Sequence, residues 1–66
     1  MLEKVSLTKA LTAVRYNGRV ARWKEGISEI VIQRTDEGEM TAVCYTGPYI
    51  SEWRFSDLPK TGWILN

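Results

Sequence analysis

Leu7, Ala10, Leu11 and Val14 recur at i, i+3, i+4 and i+7, which places all four on one stripe of a helix and predicts a helix over residues 6–16. Ser6 is its N-cap, because a serine oxygen accepts a backbone N–H of the first turn. Asn17-Gly18 is its stop: glycine takes the left-handed conformation cheaply, and Arg15 suits the negative end of the helix dipole. After Gly18 the pattern changes to strand and turn. Arg19–Trp23 reads as a short strand closed by Lys24-Glu25-Gly26. Ile27–Arg34 and Glu39–Thr46 read as two further strands, joined by the hairpin loop Thr35-Asp36-Glu37-Gly38. Thr46-Gly47-Pro48 ends that ladder, since proline has no N–H to donate. Tyr49–Phe55 reads as extended, Ser56 as the cap of one short helical turn through Lys60, and Gly62–Leu65 as a last strand. The predicted class is α+β, an N-terminal helix packed on a small antiparallel sheet within a single domain, residues 1–66.

The central strands lack clean alternation. Ile27 and Val31 point one way and Ile30 and Ile32 the other, while Val43 and Cys44 also oppose each other. Both faces of the sheet are therefore apolar, and one helix of about 16 Å covers only one of them. A second copy of the chain is the economical cover for the other. Size points the same way: for 66 residues and 7.6 kDa, apolar burial contributes on the order of 100 kcal/mol and chain ordering costs about the same. Cys44 is the only cysteine and histidine is absent, so neither a disulfide nor a four-ligand zinc site adds stability. The expectation is a homo-oligomer, tetramer before dimer. No apolar run approaches the roughly 20 residues that span a bilayer, and the amino terminus has no signal-peptide pattern, so a cytoplasmic location and no membrane partner are expected.

Composition argues against catalysis by the common routes. There is no histidine to act as general base, no glycine-rich phosphate loop, and the eight carboxylates are scattered, with Glu3, Glu25, Glu29, Glu37 and Glu39 at solvated positions. Neither a metal nor a cofactor is expected. Charge is uneven: residues 1–24 hold six basic side chains against Glu3, and residues 25–66 hold three against seven acids, giving +5 and −4. Arg15, Arg19, Arg22 and Lys24 cluster in sequence beside Tyr16 and Trp23, a mixture that suits phosphates and stacked bases. A net charge of +1 supplies little counterion-release drive for a long polyanion, which favours a small anionic ligand. The plain alternative is a solvated basic face with internal salt bridges. Of three tryptophans, Trp63 between Gly62 and Ile64 reads as core, whereas Trp23 at a strand end and Trp53 between Glu52 and Arg54 are placed to line a pocket. Cys44, between Val43 and Tyr45, reads as a small buried hydrophobe rather than a reactive thiol.

The order of these pieces resembles the type-two Thoeris anti-defence sponges, small phage proteins that sequester a cyclic ADP-ribose immune signal. The opening helix carries Leu7-Thr8-Lys9-Ala10-Leu11. Gly18-Arg19-Val20-Ala21-Arg22-Trp23 follows, and Trp53, Ser56, Asp57-Leu58 and Trp63-Ile64 occupy the closing positions. The resemblance implies a helix on an antiparallel sheet, a homotetramer, and nucleotide pockets at subunit interfaces. It gives weight to Arg22, Trp23, Trp53 and Asp57; Arg54 joins them on its charge. Trp23 or Trp53 would stack on a base, Arg22 and Arg54 would pair phosphate, and Asp57 would accept ribose hydroxyls. Related sponges bind cyclic dinucleotides of the CBASS pathway, so the expected partner is a cyclic nucleotide second messenger of either type. Two other functions fit the composition: a small phage inhibitor that docks on a host protein through a sheet edge or exposed aromatics, and a single-stranded nucleic acid binder on an open small barrel.

Overall fold

The computed structural model describes residues 3–66; Met1 and Leu2, which belong to the terminus read above as free of a signal pattern, lie outside the described residues. The chain is a small α+β domain of one helix and a six-stranded antiparallel sheet. Strand β1 (Lys4–Val5) is followed by α1 (Leu7–Asn17), β2 (Ala21–Glu25), β3 (Ser28–Arg34), β4 (Met40–Thr46), β5 (Tyr49–Glu52), a 3-10 turn (Phe55–Asp57) and β6 (Trp63–Leu65). The sheet order is β1-β6-β2-β3-β4-β5. No helix is long and apolar enough to cross a membrane among the described residues.

Helix α1 forms where its periodicity places it. The Ser6 hydroxyl accepts the Lys9 N–H at 3.2 Å, and Gly18 closes the helix at φ 63°, with its N–H donating to the Ala13 carbonyl. Leu7, Ala10 and Val14 are buried against Ala21, Ile30, Ile32, Ala42, Cys44, Leu58 and Trp63. The register explains this core. Trp23, Ile30 and Cys44 lie opposite one another across β2, β3 and β4, as do Ala21, Ile32 and Ala42, and cross-strand partners share a face. That face carries α1.

Among the described residues, no helix or strand packs on the other face. Arg22, Val31 and Val43 lie opposite one another there, flanked by Ile64 on β6 and by Tyr45 and Ile50 on β4 and β5. Val31 is buried, Val43 and Ile64 are half-buried, and Ile50 is exposed. The expectation of two apolar faces with one helix holds for Val31 and Val43. It fails for Ile27, which sits in the two-residue turn between β2 and β3 and is 80% exposed.

Three other expectations need correction. Gly47-Pro48 ends β4 but does not end the sheet: the pair is a tight turn, and Tyr49 to Glu52 return along β4 in register, Thr46 opposite Tyr49 and Val43 opposite Glu52. Ser56 is not a cap. Arg54 occupies that position without a side-chain hydrogen bond, and the 3-10 turn ends at Asp57 rather than Lys60. Strand β1, which pairs Val5 with Trp63, had no counterpart in the predicted elements.

Candidate functional site

On the helix-bearing face, at the margin of the core, β2 to β5 leave a cleft of about 230 Å³ lined by Trp23, Glu25, Ser28, Ile30, Cys44, Thr46 and Trp53. Its inner surface is apolar, from Ile30 and Cys44, with a polar strip where the Ser28 and Thr46 hydroxyls share a hydrogen bond of 3.1 Å. Trp53 also borders a wider, open groove of about 560 Å³ that it forms with Glu52, Arg54 and Asp57. That volume falls within the roughly 300–1,000 Å³ of small-molecule sites. One indole thus stands between an apolar cleft and a groove bearing both signs of charge.

Local structure fixes these side chains. The Trp53 N–H donates to the Ala42 carbonyl at 2.9 Å, and the Asp57 N–H donates to the Arg54 carbonyl at 3.0 Å. The second bond closes the 3-10 turn and holds arginine and aspartate on one rim. Neither Arg54 nor Asp57 makes an ion pair among the described residues, where the single salt bridge is Arg22 to Glu29 at 3.6 Å. Both charges are therefore available to a ligand. Among the described residues no group of three His, Cys, Asp or Glu converges on a metal position.

Trp23 is held from behind by Gly62, which has φ 91° and whose added Cβ would lie 3.1 Å from Trp23 Nε1 and 3.3 Å from Cδ1. Two constraints thus require glycine at one position: a backbone region that L side chains rarely adopt and the close approach of the indole. Gly62→Ala is expected to cost about 1–3 kcal/mol of stability, read as a lower thermal midpoint, and to displace the Trp23 ring, read as a change in tryptophan emission.

The structure brings together four of the five residues singled out in the sequence. Trp23 and Trp53 line one cleft, and Trp53, Arg54 and Asp57 line the adjoining groove. Arg22 stands apart. One residue from Trp23 on a strand, it points to the opposite face of the sheet and pairs with Glu29. The basic run also disperses, because Arg19 Nε donates to the Asn66 carbonyl at 2.7 Å while Arg15 borders a groove on α1 with Thr8, Leu11, Thr12 and Tyr16. Ser28, Thr46 and Glu52 line the site without a distinguishing pattern of their own in the sequence, and Glu25, expected at a solvated position, is exposed and lies on the rim of the cleft. The signal that could have found Glu52 is the Gly47-Pro48 turn, which folds the next four residues back beside β4.

No family model, curated protein or solved structure matches the chain.

Proposed function

We propose that the protein is a non-catalytic sponge. It binds a cyclic nucleotide second messenger, of the cyclic ADP-ribose or cyclic dinucleotide type, and lowers its free concentration below what a host anti-phage effector needs. The observation that carries this reading is the shared position of Trp53, flanked by Trp23 on one side and by unpaired Arg54 and Asp57 on the other. A base stacks on an indole, a phosphate takes the guanidinium, and a ribose hydroxyl donates to a carboxylate. Binding alone accounts for the groups present, because the lining has no imidazole and its one thiol, Cys44, is a buried wall residue.

The sponge acts as a homo-oligomer, tetramer before dimer, in the cytoplasm of the infected cell. Two features support assembly. The chain exposes 4864 Å², against about 4,300 Å² for a compact protein of its mass, and among the described residues no helix or strand packs over the face that bears Val31, Val43 and Ile64. An assembly through that face also gives Arg22 a second chain to meet.

Incubation with cyclic ADP-ribose or a cyclic dinucleotide, followed by heating and mass analysis of the released material, tests the reading. Intact nucleotide is the expected product; recovery of only degraded nucleotide, or no binding by calorimetry, overturns it. Within the site, Trp53→Ala is expected to weaken nucleotide binding by about 1–3 kcal/mol and Arg54→Ala by about 1.5–3 kcal/mol. Neither change should move the thermal midpoint of the free protein by much, since both side chains are exposed. Arg22→Ala removes an exposed ion pair and should cost no more than about 1 kcal/mol of stability.

A further inference from the structure

Strand β5 is the outer edge of the sheet, and all four of its residues are exposed, Tyr49 at 76% and Ile50 at 69%. Its main-chain groups divide cleanly. The Trp53 N–H points inward to the Ala42 carbonyl; alternate residues of an antiparallel strand bond to the same side, so Tyr49 and Ser51 also face β4. The N–H and C=O groups of Ile50 and Glu52 therefore point away from the sheet. Natural edges are guarded by lysine, proline, a bulge or a covering helix. Strand β5 has no lysine, proline, bulge or covering helix, and its single charge is Glu52 at one end: its sequence is Tyr-Ile-Ser-Glu, its register with β4 runs unbroken, and α1 packs over β2, β3 and β6. At the opposite edge β1 is only two residues long.

We propose that β5 pairs antiparallel with the β5 of a second copy about a two-fold axis at Ser51, and that this pairing sets the partner's Tyr49 against Trp53 in the ligand site. Strand symmetry and chemistry select the register. A two-fold axis normal to the sheet keeps each face on its own side, so paired residues must share a face, which limits the axis to a residue position. Centring on Ile50 sets Glu52 against the partner's Pro48, which has no N–H to donate. Centring on Glu52 opposes two carboxylates directly, a destabilising arrangement. Centring on Ser51 sets Ile50 against the partner's Glu52, and the reverse by symmetry, so every outward N–H and C=O of both strands finds a partner. The next pair along is Tyr49 with the partner's Trp53. It is a close, non-hydrogen-bonded pair, with Cβ atoms about 4.5–5.5 Å apart. Tyr49 and Trp53 share the face that bears the cleft. The groove beside Trp53, open in one chain, thereby gains an aromatic wall from the other. The pairing stands on strand geometry alone; the use of Tyr49 as a ligand contact rests on the nucleotide reading.

Cross-linking tests the pairing without any ligand. In a Cys44→Ala background, which removes the native thiol, Ser51→Cys is expected to give a covalent dimer on mild oxidation, because residues on the axis have Cα atoms about 4.5 Å apart. A mixture of Tyr49→Cys and Trp53→Cys chains in that background is expected to cross-link where neither chain does so alone. Ile50→Pro removes one outward N–H and leaves the bonds to β4 intact, so a folded protein that no longer cross-links through Cys at position 51 is the expected result. Ile50→Lys, a natural edge guard, serves the same purpose if the proline variant does not fold. Absence of the Ser51→Cys dimer, or cross-linking that persists in a folded Ile50 variant, overturns the proposal. Titration of the folded, unpaired variant with cyclic ADP-ribose then separates the two parts. A several-fold loss of affinity relative to the wild type supports Tyr49 as a ligand contact, equal affinity removes it from the site, and a wild type that binds no nucleotide overturns the sponge reading and the ligand role of Tyr49 while leaving the pairing standing.

Discussion

Ile30→Asp is expected to abolish folding, and Val31→Asp, one residue along the same strand, is expected to leave a folded chain that associates less. Ile30 is 1% exposed and lies between Trp23 and Cys44 on the face that α1 covers. A carboxylate there has no cation within its face of the core, and burying it unpaired costs several kcal/mol even after it is neutralised. A domain of this length has only about 3–10 kcal/mol to lose. Val31 is nearly as buried, at 7%, but it faces the side of the sheet that no helix covers. Its neighbour across the ladder is the exposed Arg22, so an aspartate there gains a cation that Ile30→Asp lacks. Far-ultraviolet circular dichroism reads the first outcome and sedimentation at several concentrations reads the second. A folded Val31→Asp protein of wild-type size would remove this face from the assembly, and an unfolded one would make Val31 a core residue.

The contrast between these neighbours shows which parts of the molecule were legible in the sequence. Period-two alternation separates Ile30 from Val31 and Arg22 from Trp23 without knowledge of the fold, and helical periodicity with Ser6 and Gly18 delimits α1 to within one residue. Trp53, Arg54 and Asp57 were equally accessible because they lie within five residues of one another and a single turn joins them. Strand β1 was not. Its two residues carry no local pattern and are ordered by Ile64 and Trp63, about sixty positions away. Trp23 and Trp53 were expected to line a pocket from their flanking residues, but the arrangement that joins them was out of reach, since it depends on three hairpins in succession placing β2 and β5 on either side of β3 and β4. Pro48 misled for a definable reason. A missing N–H ends pairing at that residue, yet proline is also a turn former, and here the turn carries the chain straight back into the ladder.

Trp63→Ala is expected to leave the protein largely unfolded at 37 °C, in contrast to Trp53→Ala. Trp63 is fully buried, the largest side chain of the core, and its Nε1 donates to the Pro59 carbonyl at 2.8 Å. Removing the ring costs about 3–5 kcal/mol through lost burial and the cavity left behind. The Pro59 carbonyl also loses its donor, which adds about 1 kcal/mol or more if water cannot reach it. The sum is comparable with the whole stability of a 66-residue chain. Trp63→Phe separates the two contributions, because it keeps most of the apolar volume and removes only the donor; it should remain folded with a lower thermal midpoint. A ligand that binds only the native state raises that midpoint in proportion to the logarithm of its concentration over its dissociation constant. Saturating cyclic nucleotide should therefore restore part of the loss in Trp63→Phe, whose site is intact, and should add little to Trp53→Ala, whose site is not. Equal ligand-induced shifts in the two variants would place the nucleotide away from Trp53.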